Sequence, residues 1–460
     1  MVSDDNKRRF VLFTTLLGSF WSAYIITSVN VAIPSISKEF ASSATYTSWI
    51  LTSSLLVTSM IVLPVGRLSD VIGRKKTLFY GMLNMTITTF LCGLSTSVTM
   101  MIVLRGIQGI GSAMVATTLI SIISGAFPGN RRGKALGINV AFTYLGLSAG
   151  PFIGGWLVEQ FGWRGIYYFS FPVGILLLFL IHRIDQEWKS NEPLRIDHKG
   201  AWIYAIGILA IIWGLSNLKG YPVAPFIFVG GLLMIFYFGR YESRIKEPLI
   251  DVRTLKSNRV LIFSTLASFI NYSSTYAISF MMSMYLQYVK GFDPGFTGTI
   301  LLIQPALQAT FSPFAGFLSD RVDPRYVASS GMGLIAASLF FLSGFDQNTA
   351  VWQMLLLLGL IGIGFALFSA PNTNSIMSSM DRNQYGIASG ILSTARTVGQ
   401  SFSMAVTGLI VSLYVRSETV TTTNFAAFSQ SFRVTFVLFS IFCIIGVIAS
   451  LARGRKDAQN

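Results

Sequence analysis

The sequence predicts an all-α membrane protein built as a duplicated bundle of spanning helices. Three observations carry that prediction. Only 12% of the 460 residues are charged and 52% are hydrophobic, with a mean hydropathy of +0.61. A soluble chain carries roughly 25% charged residues, so most of this surface faces lipid. Apolar runs of about 20 residues, the length that crosses a bilayer as a helix, recur along the whole chain. Finally, two loops repeat. Gly66-Arg67-Leu68-Ser69-Asp70 returns as Gly316-Phe317-Leu318-Ser319-Asp320, with Asp70 and Asp320 250 positions apart. The loop around Gly133 returns around Gly386, 253 positions later. Two different loops at nearly one offset indicate internal duplication, the architecture of many secondary transporters.

Taken in order, the apolar runs give fourteen spans. Six lie at about 10–33, 47–66, 77–96, 99–122, 134–157 and 165–182. A charged loop follows, then a hairpin of two spans at about 200–217 and 224–241, then a second charged loop. Six more lie at about 260–286, 296–318, 327–344, 351–375, 386–415 and 432–452. The expected domains are therefore a six-helix bundle over 1–183, a linker with two extra transmembrane helices over 184–259, and a second six-helix bundle over 260–460. Below, the core spans are numbered one to twelve without the hairpin.

The net charge of +15 is that of many nucleic-acid binders, but here the cations sit in short alternating loops. Only Lys38, Arg164, Lys219, Lys290 and Arg416 fall on the opposite side, and Arg105, Arg396 and Arg433 within spans. That asymmetry is the positive-inside signature, and it puts both termini in the cytoplasm of a cell whose plasma membrane holds the protein. The first run is long enough to span and follows Lys7-Arg8-Arg9, so it is expected to act as an uncleaved anchor. Cys92 and Cys443 lie in apolar runs and define no disulfide framework. His182 and His198 form no metal cluster. No set of nucleophile, base or metal ligands suggests an enzyme, no cofactor is implied, and Gly106-xx-Gly109-x-Gly111 lies inside a span rather than after a strand, so a nucleotide site fails.

Glycine and proline concentrate in the fifth span as Gly146-xxx-Gly150-Pro151-xx-Gly154-Gly155. Small residues spaced by four let helix backbones approach closely, and proline bends a helix. The loop Gly66 to Lys76 is a tight basic turn holding Asp70, Gly73, Arg74 and Lys75.

These residues resemble the major facilitator superfamily, specifically its fourteen-spanner drug:proton antiporters of the multidrug efflux type. The family's loop signature between spans two and three is matched by Gly66, Asp70, Gly73, Arg74 and Lys75, its fourth-span signature by Arg105, Gln108, Gly109, Gly111 and Ala113, and its antiporter signature by Gly146, Gly150, Pro151, Gly154 and Gly155. Val29 to Pro34, with Trp49 and Pro64, looks like the same subfamily. The resemblance implies export of amphipathic small molecules by alternating access, coupled to protons, by a monomer. It implies that Asp70 locks a cytoplasmic gate against the positive N-terminus of the eleventh span, around 385–388, with Asp320 the matching gating-loop residue of the second half. A plain alternative is that Asp70 caps its own loop through Arg67 or Arg74. The fifth-span glycines would pack against the eighth span across the two halves. Spans one, four, seven and ten line the cavity in this family. That points to Tyr24, Asn30, Arg105, Gln108, Asn271, Tyr272, Tyr276, Asn372 and Asn374, beside Met281, Met282 and Met284.

The sequence departs from the family in one respect. None of its 19 acids falls mid-membrane, and Ile25 stands where related cation exporters carry an acid. Coupling candidates are therefore the peripheral Asp70 with Arg105 and Gln108. Arg105 could snorkel toward Glu159. Arg396, near the midplane, costs roughly 2.5–3.5 kcal/mol to insert, so it is expected to face the bundle. There it either bonds backbone carbonyls or Gln400, or makes a positive cavity wall that favours anionic or neutral amphiphiles. Alternatives to proton-coupled export are a proton-independent facilitator, a transporter of lipids or anionic amphiphiles, and a non-transporting receptor.

Overall fold

The computed structural model describes residues 4–127, 129–189, 197–245, 248–250, 252–380, 385–415 and 425–454. Among them every regular element is helical. In chain order these are α1 (Asp4–Glu39), α2 (Ala44–Ile72), α3 (Arg74–Gly93), α4 (Val98–Ala126), α5 (Gly129–Phe161) and α6 (Arg164–His182). A hairpin of α7 (His198–Ser216) and α8 (Ala224–Glu242) leads through the short α9 (Val252–Ser257) to α10 (Arg259–Thr275) and α11 (Ile278–Met284). The chain ends with α12 (Pro294–Arg321), α13 (Pro324–Leu342), α14 (Val351–Ser378), α15 (Tyr385–Tyr414) and α16 (Phe425–Leu451). Counting α3 and the pair α10–α11 with the long helices, successive helices alternate in direction, so the start of α1 and the end of α16 lie at one face, the terminal face; the other is the distal face.

Twelve helices are long and apolar enough to cross a membrane. The two other spans expected from sequence, 77–96 and 260–286, fall outside that set for identifiable reasons. Helix α3 opens on Arg74-Lys75-Lys76 and is threonine-rich. The stretch over 260–286 is broken at Tyr276–Ala277 into α10 and α11, then widens into a π-helical turn at Tyr285–Val289. Just before the break, Ser273, Ser274 and Thr275 each donate a hydroxyl to the carbonyl one turn back, which competes with the backbone ladder and bends helices. The Ala277 N–H is taken up by Ser403 Oγ at 3.2 Å.

Duplication is written into the packing. Helix α1 packs on α5, α2 on α4, and α3 on both α4 and α6; correspondingly α10 packs on α15, α12 on α14, and α13 on both α14 and α16. The same glycines make the same approaches in each half. A Cβ at Gly81 would stand 3.1 Å from the Gly111 carbonyl oxygen, and one at Gly331 would stand 2.5 Å from that of Gly364. Gly109 abuts the carbonyl of Ser54, and Gly362 abuts that of Gln304. Gly146 abuts the carbonyl of Phe20, and Gly399 that of Phe269.

The hairpin lies beside α2 and α15. Tyr204 donates its hydroxyl to the Ser59 carbonyl at 2.9 Å, and Lys219 bonds the Ser412 carbonyl at 2.6 Å. Its outer side is apolar and bare, with Phe226 79% and Phe236 73% exposed, as a lipid-facing helix requires. At the hairpin's base, Glu242 is buried and accepts the Leu249 and Ile250 N–H groups at 2.6 and 3.2 Å.

Candidate functional site

A cavity of about 280 Å³ lies in the middle of the molecule. Helices α1, α2, α4 and α5 from the first half and α10, α12, α14 and α15 from the second contribute to its wall. It runs from Asn30, Arg105, Pro151 and Leu301 toward the terminal side, reaching Ser19, Ile120, Asn139 and Ser393. Distal to it, the halves close on each other. Gln287 Nε2 donates to the Val31 carbonyl at 3.0 Å, and the Tyr288 hydroxyl to that of Pro34 at 3.3 Å. Gly155 and Gly298 let the α5 and α12 backbones touch, against the carbonyls of Pro294 and Pro151. At mid-depth Ser59 meets Ser401 at 2.7 Å, and Tyr144 meets Ser369 at 2.9 Å.

Two guanidinium groups mark the wall. Arg105 is 3% exposed. Its Nε donates to the Ile50 carbonyl at 3.3 Å and its Nη1 to Gln108 Oε1. Gln108 in turn donates to Thr89 Oγ1 at 2.9 Å. Arg105 therefore turns inward, and the expected reach toward Glu159 is not made; Glu159 sits at the distal end, against Gly295. Arg396 lines the cavity with its guanidinium 5.2 Å above the Tyr272 ring. Neither backbone carbonyls nor Gln400 hold it.

Of the residues expected to line the cavity, Asn30, Arg105, Tyr272, Tyr276 and Arg396 do so. The others point elsewhere. Gln108 is buried behind Arg105. Tyr24 is buried, stacked on Phe20. Asn271 is fully buried off the cavity, both of its amide atoms without a partner. Asn372 ties α14 to α10 through the Ser264 carbonyl at 3.1 Å and Ser268 Oγ at 2.7 Å, and Asn374 is exposed. Met281, Met282 and Met284 are buried in the core. Conversely, Asn139 and Tyr144 on α5, Gln304 and Gln308 on α12 and Gln400 on α15 line the wall without having been expected to. The spans of α5 and α12 were not treated as cavity walls, and on α15 only Arg396 was, with Gln400 considered as its partner, although each span carries polar groups inside an apolar run.

The loop between α2 and α3 is clasped locally. Asp70 Oδ1 accepts Arg74 Nε and Nη2 at 3.0 and 2.9 Å, and Arg74 Nη1 reaches the Ser121 carbonyl at 3.2 Å. Gly73 holds φ +112°, a region that favours glycine. The N-terminus of α3 is capped from outside by Glu187, whose oxygens accept the Lys75 and Lys76 N–H groups at 2.8 and 3.2 Å, where the helix dipole favours an anion. Lys75 Nζ reaches the His182 carbonyl at 3.4 Å. Residues 385–388, where the contact with Asp70 is expected, open α15, but the side chains of 385–387 and of Asp320 lie outside what is described, and Ala388 is buried. In α5 the glycines divide. Gly146, Gly150 and Gly154 pack on α1, and only Gly155 meets α12. Positions 146, 150 and 154 form one i, i+4 row, while 151 and 155 form the next row around the helix.

The family model described as Major Facilitator Superfamily matches residues 15–250 and 264–460. The chain belongs to the Major Facilitator Superfamily. Members of that family are transporters rather than enzymes. Among similar members, the multidrug resistance protein Stp of Mycobacterium tuberculosis is 29% identical over 89% of this chain and 77% of its own length. The riboflavin transporter RibZ of Clostridioides difficile is 26% identical over 99% of both chains. Among solved structures, a bacterial homologue of the human lysosomal transporter Spinster superposes with a TM-score of 0.71 at 14% identity, covering 97% of each chain; it supports the major facilitator fold.

Proposed function

We propose that this chain exports amphipathic small molecules by alternating access, as a fourteen-spanner of the drug:proton antiporter type. The observation that carries the reading is the central cavity. It lies between two halves of duplicated packing, mixes apolar with hydrogen-bonding walls, and is sealed distally by Gln287, Tyr288 and the glycine contacts of α5 with α12. Pockets of this kind suit bulky organic molecules held by a few polar groups. The multidrug-resistance relatives agree with that class. In this reading residues 1–183 and 260–460 rock as units about the cavity, 184–259 forms a lipid-facing hairpin, and the terminal face, rich in Lys and Arg, is cytoplasmic. The state described is then open inward. Asp70, released from Arg74, would cap the eleventh span when the terminal face closes.

The test is proton flux in proteoliposomes under an imposed pH gradient, with neutral, anionic and cationic amphiphiles. Substrate-evoked proton movement is expected; substrate flux without it would replace antiport by facilitated transport, and no flux of any amphiphile would remove the reading. A second reading has one specific observation behind it. The riboflavin transporter matches end to end, whereas the multidrug relative is matched over only 77% of its length. A flat, neutral heteroaromatic solute taken up rather than expelled would fit the same cavity, and riboflavin in the flux panel separates the two.

A further inference from the structure

The charge of the cavity goes beyond export as such. Among the described residues that line it there is no Asp, Glu, Lys or His; its formal charges are Arg105 and Arg396 alone. Neither has an acidic partner. Arg105 spends Nε and Nη1 on neutral oxygens of Ile50 and Gln108, leaving Nη2 unbonded by protein. Arg396 makes no hydrogen bond to protein and rests on the face of Tyr272. Tyr276 lines the same cavity as both guanidinium groups. Asn30, 3% exposed on the same wall, has its Oδ1 without a partner. A cation in a low-dielectric site is stable when paired, and a guanidinium presents forked donors that match a carboxylate or sulfonate.

We propose that this cavity is an anion site: Arg396, with the free edge of Arg105, binds the carboxylate or sulfonate of an amphipathic aromatic molecule whose ring stacks among Tyr272, Tyr276 and Phe365. The inference rests on the export reading and adds the substrate's charge. Arg396 is the specificity-determining residue, because its donors are uncommitted. Arg105 is the deeper, structurally engaged member. Organic cations of the same size are disfavoured, since no carboxylate is there to receive them.

The test uses two probes of one shape and opposite charge, 2-naphthalenesulfonate and (2-naphthylmethyl)trimethylammonium, with the full-length protein in detergent and in proteoliposomes. Binding is read by calorimetry, with protein-free micelles subtracted. The sulfonate is expected to bind at least tenfold more tightly than the ammonium, and inorganic sulfate at equal concentration not to displace it. Arg396→Gln should abolish the preference while the ammonium binds no worse, which also reports that the variant is folded; Arg396→Lys should keep part of the preference. Equal binding of the two probes, an unchanged preference in Arg396→Gln, or displacement by sulfate overturns the proposal. In the flux assay, transport of the ammonium without the sulfonate overturns it and leaves export standing. Transport of neither brings down both.

Discussion

At the scale of single residues, the Arg105–Gln108–Thr89 chain explains how a guanidinium stays buried without an acid. A hydrogen bond to a charged group contributes about 1.5–3 kcal/mol and a neutral one about 0.5–1.5 kcal/mol. Gln108→Leu removes the acceptor of Arg105 and should lower the thermal midpoint in detergent clearly more than Thr89→Val, which removes only the neutral bond behind it. Equal or reversed losses would mean that Arg105 does not depend on Gln108. Residue identity alone marked this pair as important. It did not tell which way the polar groups of the first, seventh and tenth spans face. Tyr24, Asn271 and Asn372 are polar residues in apolar helices like Asn30 and Tyr276, yet they are buried off the cavity wall. The difference is a rotation of about 100° per residue around the helix axis, and in a helix apolar on all sides the pattern carries no stripe to orient it.

Among the elements, α5 shows what a glycine motif can and cannot say. Its spacing correctly announces close helix packing, but the partner is chiefly α1 and not α12, because three of the four glycines share one row. The obstacle differs along that row. A methyl group at Gly146 would strike the carbonyl oxygen of Phe20, which is fixed in the helix, whereas one at Gly150 would first strike the Thr27 hydroxyl, the end of a rotatable side chain. Overpacking costs about 1–3 kcal/mol, so Gly146→Ala should fall at the upper end of that range and Gly150→Ala nearer the lower. Paired melting curves would check the order, and a more damaging Gly150→Ala would show that the α1 backbone yields where it is expected to hold. Helix α3 gives a similar lesson in its cap. Glu187 lies in a loop far along the chain, and nothing in the local sequence of Arg74-Lys75-Lys76 reveals it. Glu187→Gln weakens an anion at a helix N-terminus, a contribution of about 0.3–1 kcal/mol. It should lower the midpoint slightly and in a salt-dependent way; a shift indifferent to salt would point to lost packing against Gly73 instead.

For the whole molecule, the duplication was legible because it is covalent: loops at offsets of 250 and 253 positions foretell glycine contacts at the same offsets, Gly81 with Gly331 and Gly111 with Gly364. The conformation was not legible, because a chain that alternates between states, as the proposed export requires, must encode both. Which state is populated depends on contacts made in one and broken in the other. Here those contacts are the distal bonds of Gln287 and Tyr288 to the α1 backbone. Two neutral hydrogen bonds amount to about 1–3 kcal/mol, enough to move a two-state ratio by roughly 5–150-fold. Gln287→Ala with Tyr288→Phe should therefore raise the distal-open population. Spin labels at the exposed distal positions Thr96 and Asn348 would report it as a new long-distance peak, against a clean background because Cys92 and Cys443 are buried. Each single substitution should give a smaller peak. An unchanged distance distribution in the double variant would mean that the α5–α12 backbone contact alone holds the distal face shut. Gly298→Val, which forces a side chain against the Pro151 carbonyl, would then be the substitution that opens it.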